Sequence, residues 1–363
     1  MAKRFSVAVI GCGIGRSHIE EGYARLREKF DLQVLCDLNE ERLGKVGDEF
    51  AVPRLTTSFD DVLAMNDIDI VDICTPPTLH FTQAMAALAS GKQVICEKPL
   101  VGSLADIDWL TAAEAKAEGR IMPVFQYRFG NGLQKAKRII DLGLAGKPYL
   151  ATVETAWLRG ANYYSVPWRG RFETELGGAL LTHAIHSHDI LTYLMGDVAS
   201  VFARTATRVN TIEVEDCAVA SLVMESGALA SLAATLGSAK EISRLRLCFE
   251  HVTFESSQAP YAPGDDPWQI LPTSPEAEAR IAQALEGWAF VPSRFEGLMA
   301  SYHHALASGG PLPVTLADAR RSLELITALY HAAETGAAVA LPIGKNHPKY
   351  GSWRPEAAAA PLR

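Results

Sequence analysis

The sequence predicts an α/β protein: a doubly wound parallel sheet in the first third, then an α+β domain with a mostly antiparallel sheet. Three observations carry this reading. Apolar strand-like runs alternate with helical stretches up to about residue 125, the turn after the first run is rich in glycine, and β-rich segments follow one another between about 198 and 255. Alternation of β and α segments implies parallel strands covered on both faces, whereas successive strand-like segments imply antiparallel pairing. With 363 residues, 48% of them hydrophobic, the chain can fill two cores. The expected domains are 1–125 and 126–363.

Taken in order, the expected parallel strands are FSVAVI (5–10), LQVLC (32–36), DIVDIC (69–74), QVIC (93–96) and RIMPVF (120–125). A helix near 131–142 leads into a strand PYLATVETAWL (148–158), then a helix opened by Gly-Gly from about 177 to 194. After the β-rich stretch, residues 256–275 are rich in Pro, Ser and Asp and read as a long loop. Two helices follow: 276–308 with a break near Pro292, and 316–335, with Leu323, Ile326, Leu329 and Tyr330 at helical spacing. The chain ends in a short low-complexity tail, PEAAAAPLR.

Composition removes several classes of function. Lys plus Arg number 34 against 42 Asp plus Glu, a net charge of −8 without a long basic run, so nucleic acid is not an expected partner. No segment approaches the roughly 18 uninterrupted apolar residues of a membrane helix, and MAKRFSVAVIGCGIG reads as a first strand rather than a signal peptide. A cytoplasmic location is expected. The six cysteines form no CxxC pair and read as small packing residues, with neither a disulfide framework nor a zinc site.

The first turn is GCGIGRSH, in which Gly11, Gly13 and Gly15 flank Cys12 and Ile14. Glycines there let a pyrophosphate approach backbone N–H groups at a helix start. Asp37 closes the second strand, where a carboxylate hydrogen-bonds adenosine ribose hydroxyls and repels a 2′-phosphate, so NAD is favoured over NADP. Ligands of such sheets sit beyond the carboxyl ends of the strands. The segments CTPPTLH, with Thr75, Pro76 and His80, and CEKPL, with Glu97 and Lys98, leave the third and fourth strands there and supply further cofactor contacts. Lys98, at the mouth of that crevice, can exchange a proton with a substrate hydroxyl.

In GGALLTHAIHSHDILTYLMG, Thr182, His186 and Asp189 lie four and three residues apart, which puts them on one helix face, while His188 points elsewhere. His186 is the candidate acid/base. His183 could join a metal site with Glu175, but no third ligand stands at a recognisable spacing, so no metal is expected. His183, Tyr127, Arg128, Trp157, Arg159, Trp168 and Arg169 are candidate substrate contacts, aromatic faces for sugar C–H surfaces and guanidinium groups for hydroxyls or a carboxylate.

GCGIGRSH, the CD pair at 36–37, TPPTLH, EKPL, the GGALL helix and ADARRSLELITALYHAAETG together resemble the glucose–fructose oxidoreductase, inositol dehydrogenase and rhizopine-catabolism (Gfo/Idh/MocA) family. The resemblance implies a Rossmann domain followed by a domain whose open sheet forms homodimer or homotetramer contacts, and NAD(P)-dependent oxidation or reduction of sugars, sugar derivatives or cyclitols. It places the family's catalytic lysine on Lys98 and its histidine on His186. Two departures stand out. Thr182 occupies the position of a common aspartate, so either His186 depends on Asp189 or Lys98 is the main base, and the glycine spacing is one residue short. Two other functions remain open on these residues: hydrolysis of a glycoside with NAD recycled, and non-catalytic sensing of a dinucleotide.

Overall fold

The computed structural model describes residues 3–355, so the tail lies outside the described residues from Glu356 onward. The chain forms two compact units. The first runs to Gln126 and also takes in Phe295–Arg320; the second comprises Tyr127–Arg294 and the chain from Arg321. Where the sequence reading drew two contiguous spans, the first unit is thus assembled from two separate segments.

In the first unit, β1 (Phe5–Ile10), β2 (Phe30–Cys36), β3 (Arg54–Thr56), β4 (Ile70–Ile73), β5 (Gln93–Cys96) and β6 (Ile121–Pro123) form a parallel sheet of order β3-β2-β1-β4-β5-β6. β3 escaped the sequence reading because three residues carry no period. The helices between the strands are α1 (Gly15–Glu21), α2 (Glu40–Phe50), α3 (Phe59–Ala64), α4 (Pro77–Ala89) and α5 (Leu104–Glu114). Asn39, Ser58 and Ser103 cap α2, α3 and α5 by accepting the N–H groups of Arg42, Asp61 and Asp106. Val7, Val9, Val34, Leu35, Ile70, Val71, Val94 and Ile95 are buried in the strands, as continuous apolar runs require. Because β1 lies between β2 and β4, the strand order reverses there, and ligands of such sheets bind outside the carboxyl ends at that point.

The second unit begins with α6 (Asn131–Asp141), β7 (Pro148–Leu158), α7 (Ala161–Tyr164), α8 (Ala179–Thr182) and α9 (Ile185–Met195). β8 (Val198–Ala206), β9 (Cys217–Met224), β10 (Leu229–Thr235), β11 (Gly237–Phe249), β12 (Val252–Glu255) and β13 (Gln269–Pro272) follow, then α10 (Pro275–Ala284). α11 (Arg294–Ser308), all but its first residue in the first unit, precedes α12 (Leu316–Thr335) and β14 (Val339–Ala340). The eight strands run β13-β12-β11-β7-β10-β9-β8-β14, antiparallel except for β7 beside β10. The expected loop at 256–275 therefore contains an edge strand, β13, paired with β12.

The helix expected at 177–194 is broken in two around His183. The start of α8 is held by Glu215, which accepts the backbone N–H groups of Gly178 and Leu180 and the hydroxyl of Tyr330, and so caps α8 from outside. Burial pushes its carboxyl up to about 7. A Cβ on Gly178 would lie 1.9 Å from the Glu215 carbonyl oxygen, and one on Gly177 2.5 Å from the Tyr330 hydroxyl, which is why the helix opens with two glycines.

Candidate active site

Gly11 and Gly15 of the first turn each have a steric reason, and Gly13 stands open. Gly11 has φ +93°, and a Cβ there would come within 2.7 Å of the Cys74 carbonyl oxygen, so it permits both the turn and its approach to the end of β4. At Gly15 a Cβ would collide with Val9 at 2.8 Å, which fixes the packing of α1 on β1. Gly13 meets nothing within 4 Å and is exposed, leaving bare backbone toward open space at the start of α1. No acidic residue occupies the first turn of α1, and Ile14, 44% exposed, stands beside Gly13. These features fit the phosphates of a dinucleotide.

Asp37 ties this turn to the end of β2. Its Oδ2 accepts the Cys12 N–H at 2.7 Å, its Oδ1 accepts the Asn39 N–H at 2.8 Å, and the Arg42 guanidinium forks onto both oxygens at 2.9 and 2.7 Å. Burial opposes the charge, but Arg42 and the two backbone donors hold the carboxyl below the usual range. Asn39, not Asp37, caps α2.

At the carboxyl ends of β4 and β5 the expected residues separate into facing and bracing groups. Thr75 donates its hydroxyl to Gln83 Oε1 at 2.6 Å, Pro76 is exposed, and Lys98 is half-buried beyond β5, after which comes a cis Lys98–Pro99 bond. His80, expected among the cofactor contacts, is buried instead, because its ring nitrogens face the carbonyl oxygens of Thr75 and Pro99, each at 2.8 Å. A neutral ring donates to one of these, and burial keeps it neutral by lowering its pKa. His80 thereby braces both loops against α4.

Glu97, also expected to meet the cofactor, turns inward. One oxygen accepts the Lys98 N–H at 3.0 Å, and the other accepts His18 Nε2 at 3.0 Å. His18 Nδ1 donates to Asp72 at 2.8 Å, and the Tyr23 hydroxyl donates to the same Asp72 oxygen at 2.8 Å. Two carboxylates on the two ring nitrogens make His18 an imidazolium: burial disfavours the charge, but Asp72 raises the pKa well above its ordinary value. His18, Asp72 and Cys74 have the spacing of a metal site, yet their donor atoms are turned on one another, and burial keeps the Cys74 thiol protonated.

In the second unit, His186 stacks on Tyr127 with centroids 4.2 Å apart. Asp189, expected to orient His186, gives both oxygens to the Arg128 fork at 2.7 and 2.6 Å, and both side chains are buried. Arg128 is accordingly a packing cation under the Tyr193 ring, not a guanidinium displayed for a substrate. Thr182 does not share a continuous helix with His186. Its hydroxyl donates to the Gly178 carbonyl at 2.8 Å and meets His183 Nδ1 at 2.6 Å. His188 is buried, which lowers its pKa to about 3.

A cluster of aromatic rings and half-buried guanidinium groups surrounds His183, which is itself buried, as is Trp157. Trp157 and Tyr163 contact its ring; Arg159 lies over Trp157, Tyr163 and Tyr261 and pairs with Glu241 at 2.6 Å. Arg169 lies over Trp168, pairs with Glu175 at 3.2 Å and donates to the Tyr163 hydroxyl. Glu175 thus pairs with an arginine and also accepts the Gly170 N–H. Tyr163, Tyr261 and Glu241 were missed in the sequence because none of them belongs to a motif.

The family description "Oxidoreductase family, NAD-binding Rossmann fold" matches residues 5–125, and "GFO/IDH/MocA C-terminal domain" matches 133–255. The chain belongs to the Gfo/Idh/MocA family. Its Gfo/Idh/MocA relatives include a D-apiose dehydrogenase of Paraburkholderia graminis, 28% identical over 93% of this chain and 90% of that protein. A myo-inositol 2-dehydrogenase of Thermotoga maritima is 29% identical over 61% of this chain and 66% of its own length. Among solved structures, the WlbA dehydrogenase of Chromobacterium violaceum in complex with NADH and UDP-GlcNAcA has a TM-score of 0.83 at 28% identity, covering 94% of this chain and 97% of that one. This Gfo/Idh/MocA chain is therefore an oxidoreductase-family protein with an NAD-binding Rossmann domain, and none of its described helices is long and apolar enough to cross a membrane.

The Arg128–Asp189 fork gives a testable distinction between packing and chemistry. Asp189→Asn takes the charge from one side of a buried pair, and it should lower the unfolding free energy by about 3 kcal/mol. Urea unfolding of the variant checks this, and a change in turnover without loss of stability would contradict the structural role.

Proposed function

We propose that the chain is an NAD-dependent dehydrogenase that transfers hydride between nicotinamide and a carbinol of a sugar, sugar derivative or cyclitol. The observation that carries the reading is Lys98, half-buried beyond the carboxyl end of β5, in the same sheet whose switch point bears the bare backbone of Gly13. The glycine turn and α1 hold the pyrophosphate, Ile14 covers it, and Asp37 binds the adenosine ribose once Arg42, half-exposed, yields part of its fork. A bound nicotinamide supplies the hydride acceptor. Lys98 positions the reacting hydroxyl and takes its proton as the carbinol C–H leaves as hydride, so a carbonyl is formed. His186, its ring fixed by Tyr127, assists the proton transfer. Arg159, Trp168 and Arg169, all half-buried, offer the sugar a stacking face and hydrogen bonds, whereas Trp157 and His183 are buried.

The test mixes protein, NAD and a panel of cyclitols, aldoses, sugar acids and glycosides. One hydroxyl-bearing class should reduce NAD, and Lys98→Ala should cut that rate by at least about 100-fold. Aglycone release without net NADH would move the assignment to NAD-recycling hydrolysis, while neither product would favour a dinucleotide sensor.

Selectivity gives a second expectation. Asp37→Ala should weaken NADH binding about tenfold and let NADP compete, since it leaves Arg42 available to a 2′-phosphate. Fluorescence titration with both nucleotides measures the ratio, and an unchanged ratio would remove Asp37 from the ribose site.

A homodimer or homotetramer is proposed through the outer face of the eight-stranded sheet, where Leu150, Leu229 and Val223 stand in register and Val219 and Phe202 are also exposed. Sedimentation should find a multimer that Val219→Glu loosens; a monomer at micromolar concentration would exclude it.

A further inference from the structure

We propose that His18 is a positioning residue for the proton-exchanging lysine: from helix α1 it holds the Glu97 carboxylate beside Lys98 and sets the charge that the Lys98 amine experiences. The proposal deepens the dehydrogenase reading above and rests on it. His18 lies three residues after Gly15, on the face of α1 that packs inward with Gly15 and Ile19. Its ring spans two strand ends, with Asp72 of β4 on Nδ1 at 2.8 Å and Glu97 after β5 on Nε2 at 3.0 Å. The other Glu97 oxygen accepts the Lys98 N–H at 3.0 Å, and the side chain is buried. The carboxylate next to Lys98 therefore has a single orientation, fixed from the helix that carries the nucleotide turn.

The groups that face this pair come from several elements. Around His18 stand Asp72 and Cys74 from β4 and its end, Tyr23 from the turn after α1, Glu97, and the Phe295 ring of α11 at 4.4 Å, with Tyr302 of α11 behind Tyr23. Around Glu97 stand His18, Lys98, His80 of α4, Cys96 and Cys74. Burial keeps both tyrosines and both thiols protonated and His80 neutral. Two carboxylates and one imidazolium remain, a net charge of −1 that the Lys98 ammonium balances. Neutralising His18 makes the cluster −2 and should keep the proton on Lys98 to higher pH; neutralising Glu97 should do the reverse.

A readout independent of turnover tests this. Lys98 is half-buried and so open to a small acylating reagent. Competitive labelling with acetic anhydride across pH, followed by peptide mass spectrometry, gives the midpoint at which the Lys98 amine becomes reactive. His18→Gln should raise that midpoint by about one pH unit, and Glu97→Gln should lower it by a similar amount. The double variant should fall between the two, and the acid limb of kcat/KM for alcohol oxidation should move in the same directions. Circular dichroism and NADH binding confirm folding; if His18→Gln does not fold, Glu97→Gln, which keeps the imidazolium, carries the test. Midpoints that stay within 0.3 unit of wild type, on the order of experimental scatter, in a folded variant would make the triad a structural strut and overturn the proposal. Retained turnover in Lys98→Ala would instead overturn the dehydrogenase role on which it rests, whatever the labelling shows.

Discussion

The nucleotide-binding unit depends on the approach of two backbone segments, the turn after β1 and the end of β4. Gly11 has no side chain to keep the Cys74 carbonyl away, and everything near the switch point follows from that contact. It sets the start of α1, which directs His18 inward. It also brings Asp72 and Cys74 beneath the turn, so a strand that is otherwise apolar can end in a satisfied polar cluster. Asp37 adds a third connection by accepting the Cys12 N–H. Backbone proximity, not a large hydrophobic surface, is what aligns the candidate cofactor and proton-transfer groups.

The buried charges in the two units follow the same rule. Asp72, Glu97 and His18 form one closed set, and Arg128 with Asp189 forms another. Removing a charge from water costs several kcal/mol, and a close, bidentate or doubly hydrogen-bonded partner offsets most of that cost. Such sets are poor sources of net stability but strict determinants of geometry. In each, one partner stands within one residue of a group assigned to chemistry: Glu97 precedes Lys98, and Arg128 follows Tyr127, on which His186 rests.

Much of the fold was legible because it is written in local periods. β1, β5 and β7 begin and end where their apolar runs do, and α12 covers the span its helical spacing marks. What was not legible depends on contacts between residues distant in sequence. The cap on the start of α8 comes from Glu215, 35 residues later than Leu180, and the inward turn of Glu97 comes from a histidine 79 residues earlier. Asp189 was readable as a polar residue on the same helix as His186, but no spacing rule could reveal that Arg128 takes its carboxylate. One signal was present and unused: Asp72, charged in the middle of DIVDIC, has no place in a buried strand unless a cation waits beside it.

The discontinuous first unit has a bearing on how the protein is made. α11 supplies Phe295 against His18, Met299 beside Gly22, and His303 against Phe5 and Phe30. On the ribosome, all six parallel strands emerge before this helix does, and Tyr127–Arg294 must be synthesised in between. The nascent sheet therefore waits with part of its inner surface uncovered while the remainder of the chain is translated. A fragment ending at Gln126 would have every strand of the nucleotide-binding sheet and still lack part of its core.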